Sequence, residues 1–394
     1  MSSSAETTHT CAVCNKSAAL RCSRCGGAIY CTKECQLIAW PTHKVPCRDA
    51  VTLRSNMVGS TSAPIEDLDA IFNDVKREAE AGDPIAMRNL GNCYRVGTGV
   101  GIDKLKAIEW FQRSASAGCA AAMCSLGICF KTGDGVTANQ GESFKWYVQS
   151  AEAGYATAQY FVAMLYCNGG GGLPGKDLRK SFYWLKRAAD GGHEDAHFPL
   201  AMCYQSGQGV AVNIKEAVKW FKIAAEAGHA EAQVNLGVAY KTGEGVSAVN
   251  TREAIKWWAR AASSDNARAM YLLGSMYLVG DGVLTDKSAA FIFYKKSADA
   301  GDGDAQFNLG QMYSTGEDGV ARDEKETLRY WTRAANQGHA QAQYHLGFCF
   351  LKGEGVTADD RKAIHYWKLA VDARHPAACT EEFKRLFAAV QARN

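Results

Sequence analysis

The sequence lacks any continuous apolar run of about 18 residues, so we expect no membrane-spanning helix. Its first ten residues are rich in serine and threonine and carry no apolar stretch, so we expect a flexible N-terminus and no secretory signal peptide. An excess of one charge is also missing, because 44 lysine and arginine residues stand against 41 aspartate and glutamate residues. That balance argues against a basic face that binds the phosphates of a nucleic acid.

Residues 11–47, by contrast, are crowded with side chains that bind metal ions. They form four close pairs, spaced Cys-x2-Cys, Cys-x2-Cys, Cys-x3-Cys and His-x3-Cys. The candidate ligands are Cys11, Cys14, Cys22, Cys25, Cys31, Cys35, His43 and Cys47. Ligands of this kind and number suit two tetrahedral Zn²⁺ ions. No coordination position then remains for water, so the predicted sites are structural and would do no Lewis-acid chemistry.

The full ligand spacing resembles the MYND zinc finger at every ligand position. Tyr30, Gln36, Trp40 and Lys44 also match residues of that family. The resemblance implies a cross-braced fold, in which the first and third ligand pairs hold one ion and the second and fourth pairs hold the other. Pairing in sequential order is the alternative. A RING-type finger fits poorly, because it would need a Cys-x-His middle and a final Cys-x2-Cys.

The same resemblance implies a ligand for the finger. MYND modules bind short proline-containing peptides of the Pro-x-Leu-x-Pro kind, whose pre-extended backbone loses less entropy when it docks. By this resemblance, Gln36 would hydrogen-bond the peptide backbone, and Trp40 would present a flat apolar face. The alternative for Trp40 is packing within the small core of the finger itself.

The rest of the chain, from about residue 65 onward, is periodic. Its marker is a helix-terminating glycine that recurs every 36 to 38 residues and is replaced twice. The marker positions are Gly82, Gly118, Gly154, Gly192, Gly228, Asp265, Gly301, Gly338 and Arg374. Between markers lie a helical apolar pattern, a glycine-containing turn and a second helical pattern. Eight such two-helix repeats predict a solenoid.

Each repeat also carries an aromatic pair, such as Trp257-Trp258, eight residues before its closing marker; one repeat keeps half of the pair. We interpret these pairs as packing between helical hairpins rather than as ligand-binding boxes. The motifs resemble the Sel1-like repeat, a relative of the tetratricopeptide repeat. That resemblance implies an all-α fold, a right-handed α/α superhelix whose concave face, lined by the first helix of each repeat, holds peptides or partner proteins.

Three asparagines on the predicted first helices are candidate partner-binding residues. Asn89, Asn235 and Asn308 stand just before the Leu-Gly motif of their repeats. In related arrays, an asparagine on this helix can bond the backbone of a bound peptide. The alternative is a local structural hydrogen bond within the repeat.

The predicted domain organisation combines the finger, the repeats and their flanking segments. Its parts are a flexible N-terminus over 1–10, the finger over 11–47, a linker over 48–64, an N-terminal capping helix over 65–81, the eight repeats over 82–374 and a C-terminal capping helix over 375–394.

The positions of the cysteines outside the finger argue against disulfide bonds within the helical hairpins. No predicted second helix contains cysteine, so the disulfide clamp that joins the two helices of a hairpin in some secreted arrays is absent. Cys93, Cys129, Cys203 and Cys349 share one repeat position with Leu, Ala and Met, so we expect them to pack as small apolar side chains. The thiolate-rich finger favours a reducing, intracellular location, cytoplasmic or nuclear.

No constellation of cysteine with histidine and asparagine suggests a nucleophile. A MYND methyltransferase would need a strand-rich SET domain, but the region after Cys47 passes directly into linker and repeats. We therefore predict a non-catalytic protein-interaction adaptor, with one partner on the finger and another on the solenoid. A scaffold subunit of a ubiquitin-ligase or protein-degradation complex is the alternative, and it rests on analogy of fold alone.

Overall fold

The structure is a computed structural model of the chain. It describes residues 68–169, 175–316 and 319–393, together with the backbone of residues 20–21 and 29–30. The chain divides into two compact units, Met1–Asp177 and Leu178–Asn394. Each unit has its own helical core.

The first unit contains a short strand pair and a series of helices. Strands β1 (Leu20–Arg21) and β2 (Ile29–Tyr30) are antiparallel, with Leu20 opposite Tyr30 and Arg21 opposite Ile29. The helices of this unit within the described residues are α1 (Leu68–Glu80), α2 (Pro84–Val96), α3 (Lys104–Ser116), α4 (Ala120–Thr132), α5 (Gln140–Glu152) and α6 (Ala156–Asn168).

The second unit continues the same alternation of helices of almost equal length. Its helices within the described residues are α7 (Leu178–Asp190), α8 (Glu194–Ser206), α9 (Ile214–Glu226), α10 (Ala230–Thr242), α11 (Thr251–Ala262), α12 (Ala267–Val279), α13 (Lys287–Asp299), α14 (Gly303–Thr315), α15 (Glu324–Asn336), α16 (Ala340–Lys352), α17 (Asp360–Asp372) and α18 (Glu381–Gln391). A 3₁₀ turn, Pro376–Cys379, lies between the last two helices.

Repeats 1 to 8 are the helix pairs from α2–α3 to α16–α17. Within each unit, a first helix packs on the second helix of its own repeat, and each second helix packs on the next first helix. This order confirms the predicted all-α solenoid of helical hairpins. Helix α1 covers the open side of repeat 1, where Phe72 and Val75 are buried with Leu90.

The repeat boundaries impose a left-handed backbone, whichever residue occupies them. The marker glycines have positive φ, for example 94° at Gly228. Asp265 and Arg374 take the same conformation, with φ of 57° and 56°, and among the described residues they are the non-glycine residues that do so. That conformation costs an L-residue about 1–2 kcal/mol. The chain geometry at the end of each hairpin therefore outweighs the local preference of these two residues.

In repeats 1, 2 and 5 to 8 the core depends on a close approach between an aromatic ring and a helical glycine, whereas repeats 3 and 4 carry Ala163 and Ala201 at the glycine position. A Cβ added at Gly310 would lie 2.4 Å from the ring of Trp331, and one added at Gly347 would lie 2.1 Å from Trp367. The indole nitrogens of these tryptophans donate to backbone oxygens of the facing first helix at 3.1 and 3.2 Å. Both rings are buried. The interpretation of the aromatic pairs as packing residues is thus confirmed for the described repeats.

A glutamine near the start of several first helices joins consecutive repeats. Its side-chain nitrogen donates to a carbonyl at the end of the preceding second helix, at 3.0 to 3.1 Å. The four glutamines that make this bond are Gln159, Gln233, Gln306 and Gln343. Each of these carbonyls also accepts a bond from the N–H of the marker glycine, so the glutamine adds a second bond that ties one repeat to the next.

The substitution Gly310→Ala should lower the free energy of unfolding by about 1–3 kcal/mol, because its methyl group would overlap the Trp331 ring. Gly303→Ala is the matched control, since a Cβ there would meet nothing nearer than 3.8 Å. We expect this control to leave stability unchanged or slightly raised. Urea unfolding of the full chain, followed by circular dichroism, measures both. Equal midpoints for the two variants would contradict the role assigned to the glycine.

Candidate functional site

The predicted finger lies outside the described residues except for its strand pair. This applies to all the predicted zinc ligands (Cys11, Cys14, Cys22, Cys25, Cys31, Cys35, His43 and Cys47) and to Gln36 and Trp40. In the sequence, Cys22 directly follows β1 and Cys31 directly follows β2. Because the strands are antiparallel, the chain leaves the ladder towards these two cysteines at opposite ends.

The three candidate asparagines differ in their surroundings. Asn89 is only 3% exposed, and its Oδ1 accepts a hydrogen bond from Nη2 of Arg88 at 3.0 Å. Asn235 is half-buried, and its Nδ2 donates to the carbonyl of Glu231 one turn earlier at 3.0 Å. Asn89 lies in the first unit and Asn235 in the second.

Asn308 belongs to a small polar network on the second unit. Its side chain hydrogen-bonds the hydroxyl of Tyr294, which also lies 3.1 Å from Oγ of Ser275. Burial raises the pKa of Tyr294, while the bonds from Ser275 and Asn308 act in the opposite direction. All three asparagines therefore make hydrogen bonds within the fold, and Asn235 makes its bond from the more accessible position.

Two basic residues at the ends of first helices are engaged in contacts between repeats. Arg95 and Lys104 both approach Asp134 of the next repeat, at 4.0 and 2.8 Å. Lys241 makes an ion pair with Asp281 in the same way. The aspartates lie in the glycine-containing turns, so these pairs connect one turn to the neighbouring repeat and reduce the charge available to an acidic ligand.

A cleft of about 490 Å³ opens between repeats 6 and 7 of the second unit, lined by Phe291, Ile292, Tyr313 and Val320 among others. In neighbouring repeats the second glycine of the turn lies against the start of the second helix of the preceding repeat. For example, a Cβ added at Gly282 would lie 2.6 Å from the side chain of Thr251. Repeat 7 has one extra turn residue, and a Cβ at Gly319 would meet nothing within 4 Å. The insertion thus removes a contact at this turn, and Ile292 beside the cleft is about half exposed, as is typical of its position in the repeats.

The thiols of the repeats are poor nucleophiles. Burial raises the pKa of Cys124 to about 12 and those of Cys129 and Cys349 to about 11, so little reactive thiolate forms near neutral pH. Cys93, Cys129, Cys203 and Cys349 are all buried, which confirms their expected packing role. Within the described ranges, no group of three His, Cys, Asp or Glu side chains could hold a metal ion.

Sequence reasoning missed the residues that tie repeats together, above all the glutamines that bond the preceding helix. The signal was present, because Ala-Gln recurs at the same place in four first helices, as in Ala232-Gln233 and Ala342-Gln343. A recurring polar residue beside a buried alanine indicates a structural hydrogen bond.

Family comparisons agree with this architecture. The Sel1 repeat model matches eight segments, at residues 84–119, 120–155, 156–193, 195–229, 230–266, 267–302, 303–339 and 340–375. The chain belongs to the Sel1 repeat family. The MYND finger model matches residues 11–47, directly ahead of this array. The N-terminal module is accordingly a zinc-binding finger, and both modules are of kinds that mediate protein–protein interaction.

Individual relatives cover the two modules separately. The finger is similar to the zinc finger MYND domain-containing protein 10 homolog of Drosophila melanogaster, with 45% identity over 42 residues. That match covers 11% of this chain and only 9% of the Drosophila protein. It therefore concerns the finger and not the rest of that protein.

Two solved structures resemble the whole array. One is c5321, a protective antigen of uropathogenic Escherichia coli strains that has an SLR fold. Its sequence is 24% identical, the TM-score is 0.62, and the match covers 93% of this chain and 88% of that chain. The other is a Sel1 repeat protein from Oxalobacter formigenes, 27% identical with a TM-score of 0.61, covering 84% of this chain and 97% of that one. Both support the solenoid fold.

A bilayer-spanning helix is not found in the part of the chain that the structure describes, because none of its helices combines the necessary length and apolar character.

Pulse labelling with iodoacetamide at pH 8 should modify Cys379, which is exposed, well before Cys124. A pKa of about 12 leaves Cys124 with about a thousandfold less thiolate than a thiol at the ordinary value of 9.0, and burial also blocks the reagent. Peptide mass spectrometry of the full chain reads both sites, with labelling in denaturant as the control. Rapid native labelling of Cys124 would contradict the burial assigned to it.

Proposed function

We propose that this protein is a non-catalytic adaptor that holds one partner on its finger and a second on its solenoid. The observation that carries the proposal is the use of the recurring aromatic residues in packing, which leaves the repeats with surfaces for binding and with no cluster of reactive groups in the described residues. The buried, free thiols of the repeats support a reducing, intracellular location, cytoplasmic or nuclear.

The finger would hold two zinc ions in the cross-braced arrangement. Seven cysteines and one histidine are a donor set that fits two closed tetrahedral sites. Cys22 and Cys31 follow strands that end at opposite ends of the ladder, which fits their assignment to different ions in the cross-braced and in the sequential pairing alike. The cross-brace assigns these two residues to different ions, with Cys25, His43 and Cys47 completing the site of Cys22. Zinc in closed sites stabilises the fold of the finger.

The finger would bind a proline-containing peptide. Gln36 follows the ligand Cys35 and would bond the peptide backbone, while Trp40 would supply a flat surface for the extended chain. An aromatic anchor of this kind commonly dominates the binding free energy of a small interface.

The solenoid would bind its partner along the first helices of the repeats. Asn235 is the best placed of the three candidate asparagines, because its one described bond is to a carbonyl of its own helix and its side chain is half-exposed. Asn308 lies two repeats further on, and its side chain is hydrogen-bonded to the hydroxyl of Tyr294. Asn89 contributes through its bond with Arg88, a half-buried residue whose Nη2 donates to the amide oxygen.

Elemental analysis of the purified full chain should give two zinc ions per molecule. Trp40→Ala should keep both ions and weaken binding of a synthetic Pro-x-Leu-x-Pro peptide by about tenfold or more, since aromatic anchors often contribute about 2 kcal/mol. His9→Ala, near the first ligand but outside the ligand set, is the control and should change neither quantity. Zinc content and peptide binding that fall together in Trp40→Ala would instead make Trp40 a core residue.

The solenoid site can be tested in the full-length Trp40→Ala background, where the finger no longer competes. Peptides selected against this variant from a displayed library serve as probes. Asn235→Leu should weaken their binding by about fivefold without changing the unfolding midpoint. Leucine occupies this position in repeat 6, as Leu272, so the helix tolerates it.

Asn308→Leu is the matched comparison for the asparagine test. It should lower the unfolding midpoint, because the Tyr294 hydroxyl loses a bonding partner in a buried setting. Unchanged peptide affinity in the Asn235→Leu variant would place the binding surface elsewhere.

A further inference from the structure

Three histidines meet where repeats 7 and 8 join the C-terminal helix. Each ring stacks on an aromatic residue: His339 on Phe307 with centroids 4.8 Å apart, His345 on Trp331 at 5.1 Å, and His375 on Tyr344 at 4.7 Å. The last stack lies next to Phe383 of α18, which packs on Tyr344 and Trp367, and His345 contacts Tyr344 of the same stack. The histidines are therefore part of the packing that holds the end of the solenoid together.

His339 holds the start of α16 in a way that requires a neutral ring. Its Nδ1 accepts a hydrogen bond from the backbone N–H of Ala342 at 3.2 Å, and a protonated Nδ1 has no lone pair to accept it. Repeats 6 and 7 place Asn266 and Asp302 at the same position, with side-chain oxygens that accept equivalent bonds at 2.9 and 2.8 Å. The histidine therefore makes this cap sensitive to protonation near neutral pH.

His375 would also be disfavoured as a cation. Its Nδ1 is buried and has no hydrogen-bond partner in the part of the chain that the structure describes. A proton added there would create a charged donor with no acceptor, which is costly away from water.

The charges that face the three rings are few. Asp304, whose carboxylate lies 3.5 Å from Nε2 of His339, and Asp302 both favour a protonated His339, and Arg268 in turn pairs with Asp304 at 2.6 Å. His375 faces His339, and His345 faces His375, so each proton would oppose the next. Burial is the largest effect on all three, and it lowers their pKa values below the ordinary 6.5.

We propose that His339, His345 and His375 form an acid-sensitive latch that holds the C-terminal helix α18 on repeat 8. In the closed form the rings are neutral, stacked and, at His339, bonded to the helix start. Protonation removes that bond and places positive charge among aromatic rings that exclude water. The helix then separates and uncovers Trp367 and the apolar end of repeat 8.

The sign of the pH dependence follows from the lowered pKa values. Above pH 6.5 the rings are neutral in both forms, so the latch has its full stability there. As the pH falls below 6.5, the open form takes up protons before the closed form does, so the closed form loses stability relative to the open form. This loss ends once the pH has fallen below the lowered pKa values of the histidines in the closed form. Three rings acting together make the dependence steeper than one ring would.

The chain carries its own internal reference. Residues 68–169 contain no histidine, and the start of α2 is capped by Asp83. The protection of α2 should therefore respond little to mild acid. Asparagine, which is neutral at every pH in question, occupies the cap position in repeat 6 as Asn266 and the position of His345 in repeats 5 and 7 as Asn235 and Asn308.

The test is hydrogen exchange of the zinc-loaded full chain at pH 7.5 and 5.5, with rates corrected for intrinsic exchange. We expect peptides from Glu381–Gln391 to open about tenfold more, or beyond, at pH 5.5, relative to peptides from Pro84–Val96, since each ring that has the ordinary pKa of 6.5 in the open form can favour opening by up to about tenfold at that pH. The triple variant H339N/H345N/H375N should lose this acid response. His365→Asn, which removes an exposed histidine of α17 outside the cluster, should keep it.

A series of pH values for the unaltered protein decides the question even if the triple variant opens at neutral pH. The slope of the logarithm of protection against pH should correspond to uptake of more than one proton. A slope of zero for α18, or the same acid response in the triple variant as in the unaltered protein, would overturn the latch.

Discussion

The structure depends on the close approach of an aromatic ring to a glycine within six of the eight hairpins. At Gly237 even one added carbon would lie 2.3 Å from Trp258, so the ring lies directly against the backbone of the first helix. The indole N–H of Trp258 also bonds the carbonyl of Val234 at 3.2 Å. This contact sets the separation of the two helices, and its recurrence gives successive hairpins the same shape. Hairpins of equal shape stack regularly, which is the basis of a repeat fold.

The same contact helps to give the repeats surfaces suited to protein interaction. Aromatic rings that fill the hairpins are buried, and the polar residues between repeats mostly bond one another or the backbone. Gln233 bonds Ala225, Lys241 pairs with Asp281, and Asn308 bonds Tyr294. Cys93, Cys124, Cys129, Cys203 and Cys349 are buried. What remains accessible in the described repeats is the outer part of each helix and turn.

Local sequence patterns predicted the hairpins well, because their determinants lie within one repeat. The predicted helix-terminating markers coincide with left-handed residues in the structure, including Asp265 and Arg374, and the predicted aromatic pairs lie in the core. The contacts between repeats were less predictable. Arg95 and Lys241, at the ends of first helices, pair with aspartates about 40 residues away. Such partners depend on how hairpins stack, which periodicity alone does not specify.

The candidate sites likewise have features that the local sequence predicts and features that depend on the folded chain. The spacing of cysteine and histidine is enough to predict a zinc-binding finger, because the ligand types and their intervals define the chemistry. The surroundings of Asn89 and Asn308 could not be foreseen, since Arg88 and Tyr294 reach them only in the folded chain. The histidine cluster escaped notice for a similar reason: His339, His345 and His375 are spread over 37 positions of sequence and meet only through stacking.

A double-mutant cycle on Gly237 and Trp258 tests the central claim most directly. Repeat 4 carries Ala201 and Phe221 at the two equivalent positions, packed in one core cluster, so a side chain smaller than tryptophan is compatible with an added methyl group. The account predicts that Gly237→Ala and Trp258→Leu are each destabilising, and that the double variant is more stable than their summed losses imply by about 1 kcal/mol or more. Strictly additive losses in urea unfolding would contradict the claim that ring and glycine act as one contact.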